Sequence, residues 1–287
     1  MTEHELTRRQ VLGATGVAGI AGLGYTVSDT VEADPVGNQV QVETPADGWP
    51  MFHNNRRNTG VAPSPPLGGS VTEAWTFDAD RSAADGSNYG RGSSRPTGIA
   101  ADSTRVYFGK GKAFYAVDRE TGELDWEHSF DHSGAASGTP CVTDNRVYFV
   151  SEYRDWDEGS LVDSQGWVTA FDKSGSRRWQ QSVGGSVRSR LTLSNGRLYF
   201  GTKPGTTSGR LMVLNAADGT TDWDIPLGYG VFTTPAIDNG TVYVLDSAPE
   251  NALRALNTSD GNEQWRFTGE LAGARNDTRC GGPCFTR

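Results

Sequence analysis

Cysteine is almost absent from this chain and histidine is nearly as scarce, at three and four residues among 287. Cys141, Cys280 and Cys284 are too few, and odd in number, for a disulfide-built scaffold. Three residues rather than two separate Cys280 from Cys284, and no βαβ setting surrounds them, so a redox pair is not read here. His4, His53, His128 and His132 show no metal-ligand spacing with one another or with cysteine. No nucleophile elbow and no phosphate loop occurs. Positive charge is in deficit too, with 26 Lys and Arg against 35 Asp and Glu and a formal net charge of -9. An acidic surface repels nucleic acid, so no nucleic-acid partner is expected. Beyond the N-terminus no segment carries a sustained helical period of apolar residues, which excludes a helical fold. Hydrophobic residues make up only 35%, while Gly reaches 37 and Pro 13, a balance that suits short strands and tight turns.

What is present is repetition. Four segments read alike: Tyr115-Ala-Val-Asp118 to Gly122 and Trp126; Thr169-Ala-Phe-Asp172 to Gly175 and Trp179; Met212-Val-Leu-Asn215 to Gly219 and Trp223; Arg254-Ala-Leu-Asn257 to Gly261 and Trp265. With Trp75 included, successive tryptophans are 51, 53, 44 and 42 residues apart. A period of roughly 40 to 50 residues marks a propeller blade or similar array unit. Each unit carries a second landmark upstream: Arg105-Val-Tyr107-Phe, Arg146-Val-Tyr148-Phe, Arg197-Leu-Tyr199-Phe and Thr241-Val-Tyr243-Val. Asp, Asn and Gly before three of these runs signal hairpins. The expected fold is therefore all-β: four-stranded antiparallel blades, four recognisable repeats, and an extra N-terminal strand around Trp75. The array would be incomplete or open. An indole ring buries on the order of 200 Å², so each Trp is expected to fold over its own hairpin and fasten neighbouring sheets.

Thr7-Arg8-Arg9-Gln10-Val11-Leu12 resembles a twin-arginine export motif and precedes a mild apolar run, Val11 to Tyr25. That run is shorter than the roughly 20 residues a spanning helix needs. Residues 1–33 are read as a signal peptide, with membrane association only if it stays uncleaved, and 34–48 as a linker. The repeats occupy 49–269. The tail, 270–287, abandons the pattern, which suggests a truncated or out-of-register end. Asn239, Asn257 and Asn276 head glycosylation sequons.

The pattern Ala-x-Asp-x-x-Thr-Gly-x-x-x-Trp preceded by Val-Tyr-Phe-Gly resembles the repeat of pyrroloquinoline-quinone (PQQ)-type β-propellers. The opening Trp49-Pro-Met-Phe-His53 with Asn58-Thr-Gly60 is similar to the start of many such exported proteins. The family's tryptophan-docking positions carry over to Ala116, Gly122 and Trp126; Ala170, Gly175 and Trp179; Val213, Gly219 and Trp223; and Ala255, Gly261 and Trp265. Val213 replaces the usual Ala, and the second unit is one residue short before its Trp. The resemblance implies PQQ and Ca²⁺ in the family's dehydrogenases, which have about eight blades, a vicinal Cys pair and Glu, Asn and Asp ligands. This chain has no adjacent cysteines and about half that length, and no loop offers the six or more oxygens Ca²⁺ takes.

No catalytic, cofactor-binding or metal-binding residue is therefore assigned. The reading is an exported, non-catalytic, monomeric scaffold or binding module for protein assembly at the cell envelope, similar to the family's non-catalytic members. A quinone-dependent dehydrogenase fragment and a cell-surface carbohydrate-binding propeller stay open as alternatives. The candidate partner loop is the insertion in the second unit, with Tyr153, Asp155, Trp156, Asp157 and Glu158 mixing aromatic and acidic groups.

Overall fold

The computed structural model describes residues 48–60, 72–79, 96–130, 134–157, 160–203, 208–228, 230–231, 233–247 and 252–268. The signal segment, almost all of the linker, the tail, Cys280, Cys284, Asn276, His4 and His132 lie outside these residues, as does Glu158. No helix among the described residues is long and apolar enough to cross a membrane.

Four antiparallel sheets follow one another along the chain. The first holds β1 (Ala100–Ala101), β2 (Arg105–Lys110), β3 (Ala113–Asp118) and β4 (Leu124–Ser129), and the second β5 (Ala135–Val142), β6 (Arg146–Asp157), β7 (Ser160–Asp172) and β8 (Arg177–Ser182). In the third, the first strand is split into β9 (Ser186–Val187) and β10 (Thr192–Ser194), followed by β11 (Arg197–Lys203), β12 (Gly209–Asn215) and β13 (Thr221–Leu227). The fourth repeats that split with β14 (Gly230–Val231) and β15 (Ala236–Asp238), then β16 (Thr241–Ser247), β17 (Ala252–Asn257) and β18 (Glu263–Thr268). Each sheet is a meander in chain order, the arrangement of a propeller blade. The segment around Trp75 is assigned to no strand, yet Trp75 and Phe77 pack on the first sheet.

Register explains why the landmarks recur. In every sheet a tyrosine, a small residue and a tryptophan stand side by side on three strands: Tyr107, Ala116 and Trp126 in the first; Tyr148, Ala170 and Trp179 in the second. Tyr199, Val213 and Trp223 follow in the third, and Tyr243, Ala255 and Trp265 in the fourth. The small central residue lets the two rings approach across it, with centroids 5.8 to 6.2 Å apart. A bulge follows the small residue in all four sheets and re-aims the tryptophan strand.

The rings do not cover their own hairpins, as the sequence suggested. Trp75, Trp126, Trp179 and Trp223 each lie on the turn of the following unit. A Cβ built on Gly175 would come within 2.7 Å of Trp126, and one on Gly219 within 2.6 Å of Trp179. The same holds for Gly261 against Trp223 and Gly122 against Trp75. These glycines also sit at φ of 72 to 84°, so both the backbone and the close approach require them. Each indole Nε1 donates to the carbonyl just after the turn's Asp or Asn: Trp75 to Arg119 at 3.0 Å, Trp126 to Lys173 at 3.2 Å, Trp179 to Ala216 at 3.2 Å and Trp223 to Thr258 at 3.1 Å. The hydroxyls of Tyr148 and Tyr199 donate to the same Ala216 and Thr258 carbonyls.

The turns are shaped beforehand by their own side chains. Asp118 Oδ1 accepts from the amides of Glu120 and Thr121, and Asn257 Oδ1 from that of Ser259. The shortened second unit closes with Gly175 N donating to Asp172 O three residues back, where the others close over four. Between the sheets lie apolar cores such as Phe114, Phe149 and Phe171, and Leu198, Phe200 and Tyr148.

Residues 48–60 cross all four sheets. Trp49 pairs with Ala101 of β1, and the Pro50 carbonyl accepts from Val142 N of β5. Met51 is buried against Cys141 and Leu191, and Phe52 lies under Arg190 at 4.1 Å. The Arg56 carbonyl accepts from Ile237 N of β15, and Arg57 pairs with Asp238 at 2.7 Å. These contacts reach the first strand of successive sheets, so this segment is a strap along their inner edges. Positive φ at His53, Asn54 and Asn58 bends it.

Removing a docked ring should cost far more than removing an undocked one. Trp179→Ala is expected to lose about 3 kcal/mol and Trp265→Ala, whose ring is 46% exposed, within about 0.5 kcal/mol. Chemical denaturation of the two variants checks the contrast, and equal losses would contradict it.

Candidate functional site

The second sheet departs from the others. Its two central strands run for 12 and 13 residues, against six or seven in the rest. The pairing continues without a loop from Arg146↔Asp172 through Tyr153↔Gln165 and Asp155↔Asp163 to Asp157↔Ser160. The candidate loop is thus an extended hairpin, with one bulge between Asp155 and Trp156. The first strand of this sheet, β5, pairs with β6 no further than Glu152, and β8 pairs with β7 no further than Trp167. The distal half of the hairpin therefore projects past its sheet as a two-stranded ribbon. The structure brings Tyr153, Asp155, Trp156 and Asp157 together on this ribbon.

Its root is polar and buried. Glu152 accepts from Arg154 at 2.5 Å and from Ser137 at 3.0 Å. Ser164 and Ser186 both donate to the Lys203 carbonyl, tying β7 and β9 to β11. Burial lowers the pKa of Lys203, and Arg188 beside it pushes the same way. Cys141 is fully buried beside the Leu191 carbonyl, and burial raises its thiol pKa, so it stays an uncharged core residue. His128 packs on Phe171 and His53 stacks on Phe52.

No three His, Cys, Asp or Glu side chains among the described residues converge as a metal site. The buried acids are engaged elsewhere: Glu152 with Arg154, and Asp246 with Arg254 at 2.8 Å. Of the twelve repeat positions, Gly122, Gly175, Gly219 and Gly261 and the rings of Trp126, Trp179 and Trp223 meet across the blade junctions, with Trp75 on Gly122.

One titratable cluster escaped the sequence reading. Asp102, buried between the first two sheets, accepts from Lys173 Nζ at 2.6 Å and from the Tyr107 hydroxyl at 2.9 Å. Burial alone pushes the Asp102 carboxyl upward, but the Lys173 ammonium and the amides of Thr104 and Arg105 outweigh it and hold it at about 2. Burial lowers the Lys173 pKa, and the Asp102 contact offsets part of that. The cluster crosses the junction that Trp126 also bridges, through the same residue, Lys173. Nothing in the local pattern of Ala101-Asp102-Ser103 separates it from an ordinary turn, because its partner lies 71 residues away.

Among known proteins, a family model described as outer membrane protein assembly factor BamB matches residues 69–162 and 164–279. The quinohemoprotein alcohol dehydrogenase ADHIIG of Pseudomonas putida HK5 superposes with a TM-score of 0.60 at 14% identity, over 78% of this chain and 40% of that one. A europium-containing methanol dehydrogenase gives 0.57 at 12%, over 79% and 50%. The quinohemoprotein alcohol dehydrogenase of Comamonas testosteroni gives 0.51 at 13%, over 77% and 41%. The chain thus spans about half or less of the length of these structures, and at such identities the likeness concerns the propeller fold. A search of curated proteins found no match.

The Asp102 cluster is expected to contribute to the acid limb of stability. A carboxyl whose pKa falls from 3.8 to about 2 on folding contributes fully above pH 4 and loses about 2 kcal/mol as the pH drops towards 2. Asp102→Asn should flatten that limb in a pH series of thermal unfolding. An unchanged slope between pH 4 and 2 would show that the cluster contributes nothing there.

Proposed function

The chain belongs to the family of the outer membrane protein assembly factor BamB, and on that footing we propose that it is an exported, non-catalytic propeller that holds a protein partner at the cell envelope. The observation that carries this reading is the ribbon β6–β7. It extends a blade beyond its neighbours while the repeated residues are consumed by packing between blades. A paired ribbon displays backbone donors and acceptors on both edges together with alternating side chains, the form in which extended peptides are recognised by strand addition. A rigid array beneath it supplies the preorganisation that lowers the entropic cost of binding.

Export in this reading depends on Arg8 and Arg9, the pair resembling the twin-arginine motif. Replacing both with Lys should leave the chain inside the cell, as followed by fractionation and immunoblotting; unchanged export would rule out that route.

The partner role is tested by replacing residues 156–162 with Asn-Gly, which rejoins Asp155 to Asp163 through a tight hairpin turn and spares Glu152, Arg154 and Ser164. Recovery of envelope proteins on the immobilised chain should fall about tenfold with thermal stability unchanged. Equal recovery would reject the ribbon as the contact. Alcohol oxidation by the purified chain, after addition of the quinone and Ca²⁺, would reject the non-catalytic reading altogether.

A further inference from the structure

The last described blade presents a face that every other blade covers. Trp126, Trp179 and Trp223 are partly buried on the next unit's turn, whereas Trp265 is 46% exposed and Phe267, two residues on, is 55% exposed. Every residue of β18 is exposed, while β4 and β8 bury part of alternate residues. Tyr243 is also half-buried, where Tyr107, Tyr148 and Tyr199 are fully buried. Among the described residues Trp265 Nε1 meets no carbonyl acceptor of the kind that receives the other four indoles.

The chain also shows what fits such a face. Trp75-Thr-Phe77 and Trp265-Arg-Phe267 are the same pair at the same spacing. Trp75 sits on Gly122 and donates to the Arg119 carbonyl, and Phe77 packs edge-on against Phe108 and Tyr115 at 5.9 and 6.0 Å. On β18 the intervening Arg266 pairs with Glu263 and points to the other face, so the match rests on the two rings. The first-unit acceptor therefore already holds, within one chain, the side-chain pair that β18 leaves open.

We propose that the outer face of β18 docks on the first-unit turn of a second copy of this chain, with Trp265 and Phe267 taking the places of Trp75 and Phe77. The contact is heterologous, head to tail, and continues the series of blade junctions from one copy into the next. It is weak in the wild type, because residues 72–79 compete from the same chain at an effective concentration of roughly millimolar. Nothing in the contact concerns the β6–β7 ribbon, so it stands apart from the partner role proposed there.

Sedimentation of four forms tests it: wild type, Trp265→Ala, Trp75→Ala and the double variant. Trp75→Ala uncovers the acceptor and keeps the donor, so it should self-associate about tenfold or more tightly than wild type. The double variant should remain monomeric, yet bind wild type, which supplies Trp265. It should not bind Trp265→Ala. A monomeric Trp75→Ala chain, or association that survives in the double variant, overturns the proposal. If Trp75→Ala loosens the first unit, seen as a lost near-ultraviolet dichroism signal, wild type alone decides. The difference in iodide quenching between wild type and Trp265→Phe should then shrink as the protein is concentrated from micromolar to millimolar. A difference independent of concentration overturns the proposal.

Discussion

The structure depends on one contact made repeatedly: an indole ring laid on a glycine turn of the following unit, with its N–H directed at the carbonyl beside that turn. Neither half works alone. The ring is too large and too apolar to stand in water at a blade edge, and the turn leaves a backbone carbonyl that needs a donor once buried. Any side chain at the glycine would occupy the volume of the ring. The contact therefore constrains three residue types in two units at once, which is why the same words recur along a chain whose other positions vary.

Around this contact the blades use a small vocabulary. Tyrosine reaches across an alanine or valine to its own tryptophan, and in the second and third sheets its hydroxyl joins the indole at one shared carbonyl. At the first junction Asp102 accepts a hydrogen bond from the Tyr107 hydroxyl, and Lys173 completes the link. The difference is local: the residue after the turn's Asp is Lys here and Ala or Thr in the next two units, and its ammonium needs an anion when buried. The strap of residues 48–60 adds a restraint of another kind. It bonds to the first strands of the first, second and fourth sheets and packs on the third, so it opposes hinge motion between blades that junction contacts alone would allow.

Membership in the BamB family and likeness to quinoprotein dehydrogenases place the chain in a fold that supports both binding and catalysis, and a fold by itself does not choose between them. What distinguishes this chain is where its unusual residues lie. Its buried carboxylates are matched with arginine, lysine or serine, and Asp102 links two blades through Lys173. The departure from regularity is a ribbon that extends one sheet outward. That geometry suits recognition of another polypeptide, and the open β18 face suits continuation of the array.

Repetition made the blades legible in the sequence. Tyrosine, small residue, Asp or Asn, glycine and tryptophan recur in fixed order because each blade solves the same packing problem within some 40 to 50 consecutive residues, so the four-stranded unit could be read from spacing and the docking residues from the family resemblance. The insertion at Tyr153 to Glu158 was visible as extra length, but its form as a paired ribbon depended on register with Gln165 to Ser160, which no local signal sets. Contacts between units were hidden further. Whether Trp126 covers Gly122 or Gly175, whether Asp102 meets Lys173, and whether Trp49 to Asn58 crosses four sheets are matters of which residues, distant in the chain, become neighbours in space. Local chemistry determined the repeating unit; only the stacking of units, where rings and charges from one blade meet turns of the next, decided what each tryptophan holds and which one is left uncovered.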